Sequence, residues 1–476
     1  MAAASVVSGS AEAPPPNDST VGIEPVPPQL RRLRAFDIGV LWGDLAIGVL
    51  VLVAGALLVT PRESFGLGLA FGPALLAIAI GSVAGALLLA LVAAAGHDRG
   101  VPTMVLLRPV LGRYGSYGAT AVNVLQLIGW TAFELWAMAL FANRVSDEVF
   151  GFTAFGLWLA VAAVACTALA LIGPVRVVRV WLEKVGAWVV LAACGYLTIY
   201  LIVHADDLFR STTGAAPFGL AVDLVISLPV SWLPLVADYN RFAVSRRQNF
   251  NGTLAGFAIG NAWFYALGAL LVLSAGLDDP SPAGIAAGIL GLSAAAVVGT
   301  TLLLALLAGE TDEAFADIYS AAVSIQNVFP RANHRVLVVG VAATGTALAA
   351  VITMGDYENF LFLLGSVFVP LFGVLLGHWA AGAPLDEEPR FRPALVLVWV
   401  AGFLTYQWAL PPEVFFPAWW VRLVDRIPGA LQHYSLGASL PAFVVAFAGA
   451  WAFARLTATR PTPPTPPTRQ EIRPTL

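Results

Sequence analysis

Charge is what this sequence has least of. Only 11% of its 476 residues are charged and 59% are hydrophobic, with a mean hydropathy of +0.81, whereas soluble globular chains carry roughly 45–50% apolar and about 25% charged residues. So much apolar surface excludes an ordinary soluble domain and has to face lipid. The net charge of −4 gives no ground for a nucleic-acid partner. The two cysteines, Cys166 and Cys194, both fall in apolar runs, which excludes a disulfide framework and reads as buried packing. The five histidines, His97, His204, His334, His378 and His433, show no paired metal-ligand spacing, and neither a nucleophile elbow nor a phosphate-binding glycine loop is present. No organic cofactor is therefore expected. Asp278-Asp279 precedes Pro280 and reads as a solvated turn.

Long apolar runs, by contrast, fill the chain. Crossing about 30 Å of hydrocarbon at 1.5 Å per residue takes about 20 residues. Candidate spans on that measure are 36–59, 66–95, 117–142, 152–173, 185–203, 215–237, 254–277, 293–320, 336–354, 359–379, 393–410 and 436–457. The expected class is an all-α integral membrane protein of about twelve helices. Pro280 and Pro282 open a short external helix that delays the eighth span. Basic residues are retained on the cytoplasmic side. With the N-terminus inside, only Arg62, Arg144, Arg210, Arg422 and Arg426 lie on the opposite side. A multi-pass protein of the cell (plasma) membrane with both termini cytoplasmic is expected. The organisation expected is a disordered N-terminal tail over 1–35, rich in Ala and Pro, a helical membrane core over 36–380, two further helices within 381–457, and a Pro-Thr tail over 458–476.

Polar residues inside spans are costly and mark pathways. Asp44 lies about eight residues into the first span, roughly 12 Å from its inner end, between Gly43 and Gly48, which permit irregular backbone. It reads as a site residue or as an acid snorkelling to the interface. In the third span Asn123, Gln126, Trp130 and Glu134 are spaced to share one helix face. Packing explains the amides but does not need a carboxylate near the midplane. In the sixth span, Ser227-Leu-Pro-Val-Ser-Trp-Leu-Pro234 holds Pro229 and Pro234. Both lack an N–H and clash with the preceding turn, which predicts either a kink or a broken helix. Broken backbone at membrane depth is tolerated where it lines a cavity. The acid run Gly309-Glu-Thr-Asp-Glu313, followed by Asp317, fits a loop or the inner half of the eighth span equally well. A channel and a membrane enzyme are the rival classes. Neither a filter-like repeat nor a catalytic motif supports them, and the broken-helix signature suits a carrier.

The stretches Gly22-Ile-Glu-Pro-Val-Pro27, Asn123-Val-Leu-Gln-Leu-Ile-Gly-Trp130, Ser231-Trp-Leu-Pro-Leu-Val-Ala-Asp-Tyr-Asn-Arg-Phe242 and Glu310-Thr-Asp-Glu-Ala-Phe-Ala-Asp-Ile-Tyr-Ser320 together resemble the nucleobase:cation symporter-1 family, nearest its purine, cytosine and hydroxymethylpyrimidine permeases. The resemblance runs from about residue 20 to 380. It implies a five-plus-five inverted repeat of the leucine-transporter type with the first and sixth helices broken, so that Pro229, Pro234 and Gly48 become hinges. It implies a stacking Trp in the third span, here Trp130, followed by a Gln that reads the base edge, where this chain has Glu134. Gln126, Ser227, Ser231, Trp232 and Thr311 complete the expected substrate set, although Trp232 reads equally as an interface anchor. A coupling ion held between the first and eighth spans is implied at Gly43, Asp44, Gly309, Asp312 and Glu313.

The function expected from this is secondary active import of a small heterocycle, of the cytosine, aminopyrimidine or purine type, by H+ or Na+ symport through alternating access. Hydantoin- or allantoin-like compounds are the alternative substrates. A flat ring stacks on indole, and an ionised carboxylate, being acceptor-only, favours a ring edge rich in donors. A carboxylate at the ion site suits a proton as well as sodium.

Overall fold

The computed structural model describes residues 23–64, 66–172, 186–205, 208, 215–291, 296–410, 419, 422, 423, 426 and 437–457. Of the tails expected over 1–35 and 458–476, residues 1–22 and 458–476 lie outside the described residues, as does the basic loop bearing Arg176, Arg179 and Lys184. Residues 23–34 are not a free tail, since Val26 and Leu30 are buried and the Val26 and Leu33 N–H groups donate to the Gly100 and Phe242 carbonyls at 2.9 and 3.0 Å. Sixteen α-helices build the described part. The first ten are α1 (Ala35–Asp44), α2 (Val49–Val59), α3 (Phe71–Arg99), α4 (Thr103–Leu106), α5 (Arg108–Phe150), α6 (Phe155–Ile172), α7 (Gly186–Val203), α8 (Phe218–Ser231), α9 (Val236–Asn240) and α10 (Arg246–Ala275). The chain continues through α11 (Pro282–Gly291), α12 (Ala296–Val328), α13 (His334–Ala349), α14 (Met354–Ala380), α15 (Pro393–Ala409) and α16 (Ser439–Thr457).

Counting α1 with α2 and α8 with α9 as broken single crossings, and leaving out the short α4 and α11, the described helices give twelve spans. Six are each long and apolar enough to cross a bilayer, and the bent α1–α2 pair is a seventh. Those failing so plain a test are shorter, broken or, like α12, interrupted by acids. The delayed eighth span is present as expected. Asp279 accepts from the Ser281 N–H and hydroxyl, both at 2.9 Å, and so shapes the exposed turn that opens α11. Among the described residues no group of His, Cys, Asp and Glu has metal-site geometry.

The first span breaks between Asp44 and Val49, and its halves are bent by 62°. The conformation of Gly48 is ordinary extended backbone (φ −131°, ψ 171°), so glycine is required there for another reason. A Cβ on it would fall on the Glu313 carboxyl, and only the absent side chain lets that acid reach the break. Gly43 lies inside α1 and faces α10, not the break. Gly256 and Gly260 of α10 sit so close to α1 that a Cβ on either would strike the carbonyl of Gly39 or Gly43. This is small-residue packing of the kind membrane helices use in place of a hydrophobic driving force.

The sixth span breaks over residues 232–235, just after Pro229 in the last turn of α8, with Pro234 inside the break. The two breaks are cross-tied by buried amides. Trp42 Nε1 donates to Asn240 Oδ1 at 2.7 Å, and Asn240 Nδ2 donates to Thr253 Oγ1 at 2.7 Å and to Asn249. Asn249 in turn donates to the Ala93 carbonyl at 2.9 Å. Such buried amides are costly unless paired, and these link α1, α9, α10 and α3. Cys166 and Cys194 are free and buried.

Candidate functional site

Two polar stripes meet at the centre of the bundle, where α12 packs along α5. On α5 the stripe runs Ser116, Thr120, Asn123, Trp130 and Glu134. On α12 it runs Glu310, Glu313, Asp317, Ser320, Ser324 and Asn327. Spacings alternating between three and four keep each stripe on one face. Towards the arginine-rich end they zip together: Asn123 Nδ2 donates to Ser324 Oγ at 2.8 Å and Asn327 Nδ2 to Thr120 Oγ1 at 2.8 Å. The acid run thus lies inside a helix, which decides the loop-or-span alternative in favour of the span.

Towards the middle the stripes part around a small pocket lined by Leu50, Trp130, Glu134, Leu228, Ser231, Trp232, Glu313 and Asp317. Both broken spans contribute to it. Trp130 stands edge-on to Phe360 and Tyr357, with ring centroids 5.2 and 6.1 Å away. Trp232 stands edge-on to Trp42 at 6.0 Å. Trp232 is 6% exposed, so it belongs to the interior and not to an interface belt. The free space is ≈ 10 Å³, about one water, and a planar ring enters only if the walls part.

The carboxyls around the breaks divide into three roles. Glu310 Oε2 accepts the Val49 N–H at 2.6 Å, where α2 begins and its unpaired N–H groups carry partial positive charge. Asp44 and Asp312 face each other across α1 and α12. Glu134, Glu313 and Asp317 face the pocket. Glu134 Oε2, Glu313 Oε1, Asp44 Oδ2 and Trp130 Nε1 are buried atoms without a hydrogen-bond partner. The titratable groups facing Glu134 are three other acids, Asp317, Glu313 and Glu310, and the Cys166 thiol. The buried arginines are engaged elsewhere: Arg108 binds Asn327 and pairs with Glu388, and Arg241 donates to the Asp238 carbonyl at 3.2 Å.

Of the residues expected from sequence, Trp130, Glu134, Ser231 and Trp232 of the substrate set are brought together at the pocket, joined there by Glu313, which was expected at the ion site, while Asp44 faces Asp312. Gln126 lies off the pocket. Its Nε2 donates to the Ser231 carbonyl at 2.9 Å, holding the end of α8, and the side chain borders a separate apolar cavity of ≈ 560 Å³ against α14. Ser227 turns back onto the Asp223 carbonyl and Thr311 onto Ala308, each as an ordinary in-helix bond. Gly309 faces Val190 of α7, and Gly43 faces α10. Sequence reasoning did not assign Leu50, Leu228, Glu310 or Asp317. The two acids were legible as a stripe: positions 310, 313, 317, 320, 324 and 327 are all polar.

Residues 25–383 match the family of permeases for cytosine/purines, uracil, thiamine and allantoin. The chain belongs to the nucleobase:cation symporter-1 family. It is 27% identical over 259 residues to a putative purine-cytosine permease of Bacillus subtilis (strain 168), an alignment spanning about half of each protein (53% and 54%). It is 22% identical over 379 residues to the hydantoin permease of Microbacterium maritypicum, covering 73% of each. Mhp1, a transporter of this family solved in a closed conformation with bromovinylhydantoin bound, superposes with a TM-score of 0.72 at 16% identity, over 91% of this chain and 94% of that one. A manganese transporter of Eremococcus coleocola reaches 0.52 at 13% identity, over 92% and 98%. The fold is accordingly the five-plus-five inverted repeat of leucine-transporter type, with α1–α2 and α8–α9 as its broken helices and α15 and α16 beyond it. The protein is a membrane transporter of this family and not an enzyme.

Proposed function

We propose that this carrier imports a nucleobase-related heterocycle of the cytosine, aminopyrimidine or purine type together with a cation. The observation that carries the reading is the pocket between the two breaks, where two buried indoles stand beside carboxyls that lack partners. Trp130 offers a stacking face and Trp232 a second wall, while Glu134 accepts hydrogen bonds from the ring edge and Ser231 lies beside it. Trp130 Nε1–H is free to meet a ring acceptor. The coupling ion is assigned to the Asp44–Asp312 pair, because two carboxyls in contact have to share a proton or a metal cation. Bridging α1 to α12, that pair ties ion occupancy to the broken span that also walls the substrate pocket, as coupling requires. The arginines clustered at one end orient the carrier in the plasma membrane with that end, and both termini, in the cytoplasm.

A hydantoin-like substrate is the second reading, favoured by the similarity to the hydantoin permease over most of both chains. One panel tests both. Uptake of radiolabelled cytosine, hydroxymethylpyrimidine, adenine, guanine, uracil, hydantoin and allantoin is followed in proteoliposomes under imposed proton or sodium gradients. Gradient-driven accumulation of an amino-substituted base is the expected result. Preference for hydantoin would move the assignment to the second reading, and gradient-independent flux of every solute would overturn the carrier reading.

A further inference from the structure

We infer that the heterocycle this pocket takes is a cation, with an amino group beside a protonated or quaternised ring nitrogen. The inference rests on reading the pocket as the substrate site. Its side-chain lining is two indoles, two leucines, Ser231 and the carboxyls of Glu134, Glu313 and Asp317, with no basic residue. Glu134 and Glu313 each keep one buried oxygen without a partner. A buried carboxylate in this state is costly, and a charge-assisted contact from the amino group of an amidinium-like ring, two-point where the ring nitrogen carries a proton, removes that cost. The flanking indoles present π faces, which attract cations more strongly than neutral rings.

An independent observation excludes the opposite charge. In carriers of this architecture the N-terminus of a broken half-helix is where an anionic substrate group would dock. Here the chain fills that place itself, because Glu310 accepts the Val49 N–H at the start of α2. An anion arriving in the pocket would find the positive helix end covered and add its charge to the acids already there. A cation meets the reverse situation. With the Asp44–Asp312 pair left to the coupling ion, the substrate brings charge of its own, so each transport cycle carries one more positive charge than it would with a neutral ring.

The test uses the full-length protein and three six-membered rings of similar size: 1-methyl-2-aminopyridinium as a permanent cation, 2-methylaniline as its neutral counterpart, and uracil. Binding is measured calorimetrically in detergent, and current on a solid-supported membrane. The pyridinium should bind about tenfold more tightly than the aniline and, with uptake followed alongside, carry more positive charge inward per molecule than uracil does. Glu134→Gln and Asp317→Asn should each bring that ratio towards one, with an unchanged helical circular-dichroism signal and melting temperature in detergent showing that the variants are folded. If the neutral rings bind as tightly as the cation, or the ratio is unchanged in both variants, the inference is overturned while the pocket assignment stands. If no ring and no nucleobase binds, the pocket reading falls and the inference with it.

Discussion

At the scale of single residues, the site depends on what one position offers and another withholds. Trp130 is 5% exposed and held by edge contacts to Phe360 and Tyr357, so its position does not depend on a substrate. Stacking a base on such a ring is worth about 1–3 kcal/mol. Trp130→Ala should therefore weaken substrate binding by roughly 5- to 150-fold with the protein still inserted and folded, and Trp130→Phe should keep part of the affinity. Equal affinity in the alanine variant, measured by equilibrium binding, would place the site elsewhere. Gly48 matters for what it lacks. In Gly48→Ala the new methyl falls on the Glu313 carboxyl, and forcing a group into a packed interior costs about 1–3 kcal/mol. The expected result is a lower melting temperature in detergent together with weaker substrate binding. A variant unchanged in both would show that the carboxyl moves aside freely.

At the scale of elements, apolarity finds the helices and polar spacing finds their faces, yet the two signals conflict in α12. Its acids break the apolar run that marks a span, and they make sense only opposite the α5 stripe and the open start of α2. The broken α8–α9 pair is simpler, because proline removes the N–H that would continue the helix. Each proline in a helix interior costs about 3 kcal/mol relative to alanine, so Pro229→Ala with Pro234→Ala should let the helix run through residues 232–235. Initial uptake rates should then fall more than equilibrium affinity does, since hinge motion is what the change opposes. A double variant that transports at the normal rate would reduce both prolines to ordinary kinks.

At the scale of the whole molecule, transport needs the occupancy of two sites to bias one switch. The Asp44–Asp312 contact joins α1 to α12, and the Trp42–Asn240 bond joins α1 to α9, so both breaks share a mechanical frame. Asp44→Asn and Asp312→Asn should flatten the dependence of uptake on the proton or sodium gradient while leaving equilibrium substrate binding comparatively intact. Flux measured against each gradient checks this, and full gradient dependence in both variants would remove the pair from the coupling site.

The sequence by itself determined the solvent of this protein, its twelve spans, the places where two of them break, and the faces bearing Trp130 and Glu134. These follow from one-dimensional quantities: the apolar length that a bilayer demands, the N–H that proline lacks, and helical spacing. It also carried the Glu310–Asn327 stripe, a period as regular as the one on α5, masked by the resemblance of a run of acids to a solvated loop. Only the tertiary structure decided which polar faces meet. Gln126, Ser227 and Thr311 are polar residues near the right depth, but backbone carbonyls engage all three. Asp317, about one turn of α12 beyond Glu313, reaches the pocket. Which partner a buried polar group finds depends on helices far apart in the chain, and no local spacing encodes that.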